Sequence, residues 1–329
     1  MNNFFDVAGH GRIVKSLKES IAGGMVSHAY IFYGNRGSGR KTTAKAFAKA
    51  ANCLNPQNGE ACGKCSSCQQ LDSGNNPDIF YVKPLKTKSL GVDDIREQIV
   101  ERVKIRPYSY EKKIFIVDNA DAMTVQAQNA LLKTLEEPPE YVVIVLIAQN
   151  LENFLPTVLS RCVIMKFNPL GIGEVRNYLV NKLKIKPEDA DFFAEYSAGS
   201  IGEAMRLSED EDFYLMREDV IKALCAIDGK NTAEVMLMAN DMEKYKGYEE
   251  FFDIMYMWYR DVLCYKFFNG GDRVIQKDKL EMIKSQAESL SFEALASRLK
   301  AVMDIKKRVK QNAAFQLSME VLFINIKES

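Results

Sequence analysis

The sequence predicts an α/β fold, a parallel sheet with helices on both faces, followed by a small helical lid and an all-α C-terminal region. Three observations predict it. Through the first half of the chain, short apolar, β-branched runs alternate with helical patterns, and strands alternating with helices imply parallel strands joined by crossovers. A glycine-rich turn, "GNRGSG" at 34–39, stands between one such run and one such helix. After about residue 168 the strand signal stops and helical spacing takes over.

In chain order, Ile13, Val14, Leu17 and Ile21 give residues 11–24 the apolar spacing of an amphipathic helix closed by Gly23-Gly24. "HAYIFYG" (28–34) reads as a short buried strand and "RKTTAKAFAKAAN" (40–52) as a helix. "DIFYVKP" (78–84) is a strand and "VDDIREQIVERVKI" (92–105) a helix. "KKIFIVDNA" (112–120) is a strand, and "VQAQNALLKTLEE" (125–137) a helix that Pro138-Pro139 cannot continue. "YVVIVLIAQ" (141–149) is a strongly β-branched strand. Residues 172–207 give short helices interrupted by "KIKPEDA" and "SAGSIGEA", which suits a small lid. From about 208 onward long helical patterns dominate, including 247–268 and 292–326. Their Met and aromatic stripes read as the core of a helical bundle whose exposed face serves assembly.

The chain has 329 residues, 47% hydrophobic and 27% charged, enough for two or three ordinary domains. No segment approaches the ~18 uninterrupted apolar residues of a membrane helix, and the first residues lack a basic stretch leading into an apolar run, so a cytoplasmic location is expected. Lys+Arg and Asp+Glu balance at 44 each, so any DNA contact must be local or shared with partners. Only two histidines occur, which leaves little room for histidine-based hydrolysis. Cys162, Cys225 and Cys264 lie among apolar residues and read as buried thiols.

The other four cysteines are clustered: Cys53, Cys62, Cys65 and Cys68 form C-x8-C-x2-C-x2-C. Thiolates packed this closely match a closed tetrahedral Zn²⁺ site, with free thiols or a disulfide as the competing reading. Four protein ligands leave no open position, so such a metal is structural.

The phosphate-loop pattern is strand, G-x-x-x-x-G-K-[ST], helix: backbone N–H groups cradle phosphate, the lysine reaches the β/γ oxygens and the hydroxyl holds Mg²⁺. Gly34 and Gly39 stand at the required separation, with Gly37 between them, but the lysine position holds Arg40, the hydroxyl position Lys41, and Thr42 comes one step late. One residue is about 100° of helix rotation, so Lys41 and Thr42 take over those jobs only through a local bulge. A guanidinium is a wide planar fork rather than a compact ammonium, and an ammonium at the hydroxyl position opposes Mg²⁺. ATP and Mg²⁺ are therefore doubtful here. At the end of the strand "KIFIVD", Asp118 stands where a Mg²⁺-binding carboxylate belongs, and the next residue, where a hydrolysing enzyme carries a glutamate to activate water, is Asn119. Either "DNAD" is a solvated strand end, or loop and strand together describe a retired ATPase. "TVLSRC" (157–162) places Arg161 beyond the last apolar strand, an ordinary surface arginine unless a neighbouring subunit offers it a phosphate.

"SHAYIFYG" before the loop, the four-cysteine module after the loop helix, "AQNALLKTLEEPP" (127–139) and "TVLSRC" together resemble the AAA+ clamp-loader subunits of bacterial DNA polymerase III. The resemblance covers the first ~165 residues with high specificity and the remainder mainly in architecture. It implies an AAA+ module over 1–167 with a zinc module inserted at 53–68, a lid over 168–207 and a collar over 208–329. It implies assembly with γ/τ and δ subunits in a hetero-pentameric ring that loads the β sliding clamp onto primer–template DNA. Arg161 would then be an arginine supplied in trans to a neighbour's ATP, and Gly34, Gly37, Gly39, Arg40, Lys41, Thr42 and Asp118 a degenerate nucleotide site. "DVAGH" (6–10) matches the family's adenine-side segment, with His10 in place of its usual glutamine.

Arg40-Lys41, Asn119 and Gly202, where active subunits carry a phosphate-sensing arginine, point to the non-hydrolysing branch, as does the lack of a τ-type extension. Two other readings compete: a γ/τ-like ATPase in which a bulge lets Lys41 and Thr42 work, and a stand-alone zinc-bearing DNA binder, which neutral net charge disfavours. Basic residues of "ERVKIRP" (Lys104, Arg106) and "DIKKRVK" (Lys306, Lys307, Arg308) are candidates for DNA phosphates or simply solvated faces.

Overall fold

In the computed structural model, which describes residues 3–85, 89–248 and 250–329, five parallel strands form one sheet in the order β2-β3-β4-β1-β5. These are β1 (Ala29–Gly34), β2 (Ile79–Val82), β3 (Lys113–Val117), β4 (Val142–Ala148) and β5 (Val163–Phe167). With β1 inserted between β4 and β5, the loop that leaves β1 opens at the carboxyl edge of the sheet, where ligands bind in open α/β folds. This topology, with helices on both faces and an all-helical remainder, is the AAA+ type of α/β architecture that the sequence predicts.

Alternate side chains of the strands divide between two apolar layers. Tyr30, Phe32, Ile114, Ile116, Val143 and Val145 face a core shared with Leu17 of α1 (Gly11–Ala22) and Phe47 of α2 (Arg40–Ala51). Ile31, Phe115, Val117, Ile144 and Leu146 face the other, with Leu131 and Leu135 of α6 (Val125–Glu136). Because both faces are covered, these strands read as near-continuous apolar runs rather than alternating ones. Thr124 caps α6 by accepting the Ala127 N–H at 3.2 Å, and the helix ends two residues before Pro138.

Two elements depart from the sequence expectation. The helix expected over 92–105 is wound as α4 (Val92–Ile95), a π turn (Arg96–Val100) and α5 (Glu101–Val103). Sequence spacing names no strand after 149, yet β5 follows α7 (Pro156–Leu159) and pairs with β1 along its length. Val163 and Ile164 on this edge strand are exposed, so it lacks the buried run that announces the others. Between β2 and β3, the fully buried Asp78 carboxylate accepts the N–H groups of Tyr108, Ser109 and Tyr110 at 2.6, 2.8 and 2.9 Å and so fixes that loop.

The chain divides into two compact units, Met1–Tyr178 with Ser197–Ala204, and Leu179–Tyr196 with Met205–Ser329. Residues 172–208 form α8 (Ile172–Leu183), α9 (Pro187–Tyr196) and α10 (Ile201–Ser208). The second unit continues with α11 (Glu211–Ala226), α12 (Thr232–Asp241), α13 (Phe251–Phe268), α14 (Leu280–Ser289), α15 (Phe292–Lys310) and α16 (Phe315–Glu328). Of the helix expected over 247–268, Glu249 lies outside the described residues. The bundle core is organised around Trp258, whose Nε1–H donates to Gln286 Oε1 at 2.6 Å while Gln286 Nε2 donates to the Leu224 carbonyl at 2.9 Å. Among the described residues, no helix is long and apolar enough to cross a membrane.

Candidate functional site: a glycine-rich loop, a paired arginine and a four-cysteine cluster

β1 delivers the chain to the loop through glycines with positive φ, Gly34 at 152°, Gly37 at 75° and Gly39 at 87°, and Gly39 caps α2. At Gly37 no other residue fits, because a Cβ would lie 2.2 Å from Ser200 Oγ and 2.9 Å from the Glu203 nitrogen. The turn into α10 is laced to the loop: Ser200 Oγ donates to the Arg36 carbonyl at 2.9 Å and the Gly202 N–H donates to the Gly37 carbonyl at 2.9 Å. Gly202 is equally confined, with a Cβ placed 2.7 Å from the Gly37 Cα. Gly37→Ala is therefore expected to lower stability by about 1–3 kcal/mol, through a left-handed alanine and a forced shift against α10, measurable as a reduced denaturant midpoint.

The polar residues after the loop turn onto the chain itself. Arg40, 8% exposed, donates Nη1 to the Ala148 carbonyl at the end of β4, and burial lowers its pKa against the opposing charges of Asp121 and Asp118. Lys41 Nζ lies 2.7 Å from Asp118 Oδ2 in a half-exposed ion pair. The cation at the carboxylate that would hold magnesium is thus the chain's own ammonium. Asn119 adopts a left-handed φ of 50° and its N–H donates to Asp118 Oδ1 at 3.1 Å. Thr42 is half-buried. Near the start of α1, His10 Nε2 lies 2.9 Å from the Ser38 carbonyl and its ring 4.7 Å from that of Phe167. Burial lowers the His10 pKa, so the neutral ring with Nε2–H donating is the tautomer that this contact selects.

Arg161 lies beyond α7, away from these groups in sequence and one-third exposed. Its Nη2 pairs with Glu136 Oε1 at 2.9 Å and its Nη1 donates to the Thr157 carbonyl at 2.9 Å, so the guanidinium is aimed rather than free to sweep. Glu136 is the residue that sequence reasoning missed. The run "LEEPP" placed it at the end of α6, but nothing in a linear chain links it to an arginine 25 positions on. Of the candidate DNA-facing cations, Lys104 pairs with Glu101 at 2.9 Å and Lys306 with Asp253.

The four cysteines meet. Cys53 follows α2, Cys65 caps α3 (Ser66–Asp72), and Cys68 lies within it. Their sulfurs, with that of Cys62, all lie within 4.8 Å of one another, and Cys53 and Cys65 are 3.9 Å apart. A tetrahedral ion with Zn–S of ~2.3 Å spaces its sulfurs by about 3.8 Å, so the donor set and its size fit a metal ion. The backbone N–H groups of Lys64 and Cys65 hold the Cys62 thiol down to about 6, whereas burial pushes the Cys53 and Cys68 thiols up. All seven cysteines are free of disulfides. Cys53 and Cys68 belong to the same apolar layer as Phe47 and Leu71, so the cluster is part of the core of its unit.

Family comparison gives two matches. Residues 9–171 match the model described as DNA polymerase III, delta subunit, and residues 211–328 match its C-terminal counterpart. DNA polymerase III subunit delta′ of Bacillus subtilis (strain 168) is 31% identical over 323 residues, covering 96% of each chain. DNA polymerase III subunit tau of the same organism is 27% identical over 346 residues, where this chain spans 61% of its length. Among solved structures, a gamma subunit-related protein of DNA polymerase III from Thermotoga maritima aligns over 95% of this chain and 98% of its own, at 21% identity and a TM-score of 0.43.

Proposed function

This chain belongs to the DNA polymerase III delta-subunit family, and on that premise we propose that it is the delta′-type subunit, which hydrolyses no ATP itself and completes a neighbour's ATP site with Arg161. Membership carries a clamp-loader role in DNA replication. The observation that carries the finer reading is the Lys41–Asp118 pair at 2.7 Å beside the Gly202–Gly37 contact. An ammonium neutralises the carboxylate that would bind Mg²⁺, Asn119 offers no base to activate water, and α10 approaches the loop with a glycine where a phosphate-sensing arginine would stand.

Arg161 has the opposite character. Its planar guanidinium is aimed by Glu136 at the surface, where a neighbour's γ-phosphate would draw it off the carboxylate. Charge developing on a transferring phosphoryl group is what such a guanidinium stabilises. In this reading residues 1–167 are the AAA+ module, 168–207 the lid and 208–329 the collar that joins a hetero-pentameric ring with γ/τ and δ subunits. The ring would act on the β sliding clamp and primer–template DNA in the cytoplasm. Cys53, Cys62, Cys65 and Cys68 would hold a structural zinc ion that fixes the segment between α2 and α3.

The competing reading, a γ/τ-like ATPase, has the tau relative behind it. Steady-state phosphate release by the isolated chain, with Mg²⁺ and primed DNA, separates them. No turnover above background is expected, and none in Lys41→Ala. Turnover that Lys41→Ala abolishes would establish the ATPase instead.

A further inference from the structure

The helical unit carries a feature that the nucleotide site and the cysteine cluster leave unused, a cleft of about 450 Å³ between α13 and α15. Its floor is the fully buried Val302, and its walls are the apolar parts of Tyr256 and Met303, the latter 57% exposed. Lys306, Lys307 and Lys310 line the same cleft from the last turns of α15, against a single lining carboxylate, Asp253. Lys306 is already bound to that carboxylate. Among the described residues, no carboxylate pairs with Lys307 or Lys310, which stand one helical turn apart on the same face. Cations suit a helix C-terminus on their own account. That does not explain why they edge a cavity whose walls are an exposed methionine and tyrosine.

We propose that this cleft docks an acidic, amphipathic segment of a partner protein. A bulky apolar side chain of the segment would enter over Val302 between Tyr256 and Met303, and its flanking carboxylates would meet Lys307 and Lys310. The charge surplus selects for acid, and the apolar cavity for a side chain, which together describe a peptide laid in a groove. Nucleic acid fits less well. Arg308, the third member of the basic run, does not line the cleft; Lys306 is neutralised; Asp253 would repel a phosphate; and the apolar floor offers a sugar–phosphate backbone nothing. The inference concerns the helical unit alone and stands whether or not Arg161 serves a neighbouring ATP.

Fluorescence anisotropy on the full chain tests it with three fluorescein-labelled probes of roughly twelve units: an amphipathic peptide with Leu and Phe on one face and Glu elsewhere, the same peptide with Lys for Glu, and a thymidine oligonucleotide. The acidic peptide is expected to bind at least about tenfold more tightly than either of the others, and to weaken as salt is raised. Met303→Asp, and separately Lys307→Glu with Lys310→Glu, should each weaken it by about tenfold or more, with unchanged circular dichroism because these side chains are exposed. Equal binding of the acidic and basic peptides, preference for the oligonucleotide, no binding of any probe, or variants that bind like the parent would overturn the proposal.

Discussion

Arg161→Ala is expected to reduce ATP hydrolysis by a complex reconstituted with γ/τ and δ partners by about 10²-fold or more at the interface that it is proposed to complete, because an arginine acting in trans on phosphoryl transfer contributes about 10³–10⁵ where it is fully engaged. The interface should assemble as before, since among the described residues the side chain's polar partners are Glu136, Thr157 and Ser160 at the surface. Arg161→Lys should recover little, because the fork that pairs with Glu136 is also the group that would span two phosphate oxygens. Glu136→Gln provides the contrast. It removes the holding charge but leaves the guanidinium, so rates should stay within about threefold, the effect of a surface ion pair worth under 1 kcal/mol. Phosphate release by the assembled ring, with size-exclusion chromatography to verify assembly, reads all three variants. Full activity in Arg161→Ala would end the proposal that this residue completes a neighbour's site.

The parent chain is expected to carry about one zinc ion by metal analysis, and Cys68→Ser to abolish that binding and to cost several kcal/mol of stability. Isolated zinc modules owe about 10–16 kcal/mol to the ion; here part of the segment is already held by core packing, so the loss should be smaller. For a unit of this size each kcal/mol lowers the melting temperature by about 2–4 °C. Chelation of the parent should reproduce the shift, and the serine variant should be insensitive to chelator. Acid should act in the same direction, because coordination requires thiolates. In the metal-free chain, Cys62 has a pKa held below that of an unfolded thiol, at about 6. Its contribution is therefore complete above the unfolded thiol's pKa and is lost as pH falls through about 6. An identical metal content and melting temperature in parent and Cys68→Ser would exclude a structural ion at these cysteines.

What a linear reading reaches, and what it misses, follows from the range of the interactions involved. The glycines of the loop were legible because positive φ at Gly37 and Gly39 excludes most other residues, and the cysteines because their spacing along the chain is short enough to close a ligand cage. The central strands were legible because both their faces are buried. β5 was not, since an edge strand with exposed Val163 and Ile164 has no such run. The Lys41–Asp118 pair spans 77 positions and depends on β1 and β3 ending at the same edge of the sheet, which only the strand order reveals. Sequence placed Lys41 at the wrong step for magnesium, but not on the carboxylate itself. It also read Lys306, Lys307 and Arg308 as one basic run, whereas helical rotation assigns Lys306 and Lys307 to the cleft and leaves Arg308 out of its lining.

The lacing of Gly202 to Gly37 has a mechanical consequence. A single backbone hydrogen bond contributes only about 0.5–1.5 kcal/mol net, but this one stands beside the Ser200–Arg36 bond and between two glycines whose backbones leave no room for a side chain. Prying the turn into α10 away from the loop would break both hydrogen bonds together and open a gap at the glycines, so loop and turn are expected to shift as one piece within the first unit.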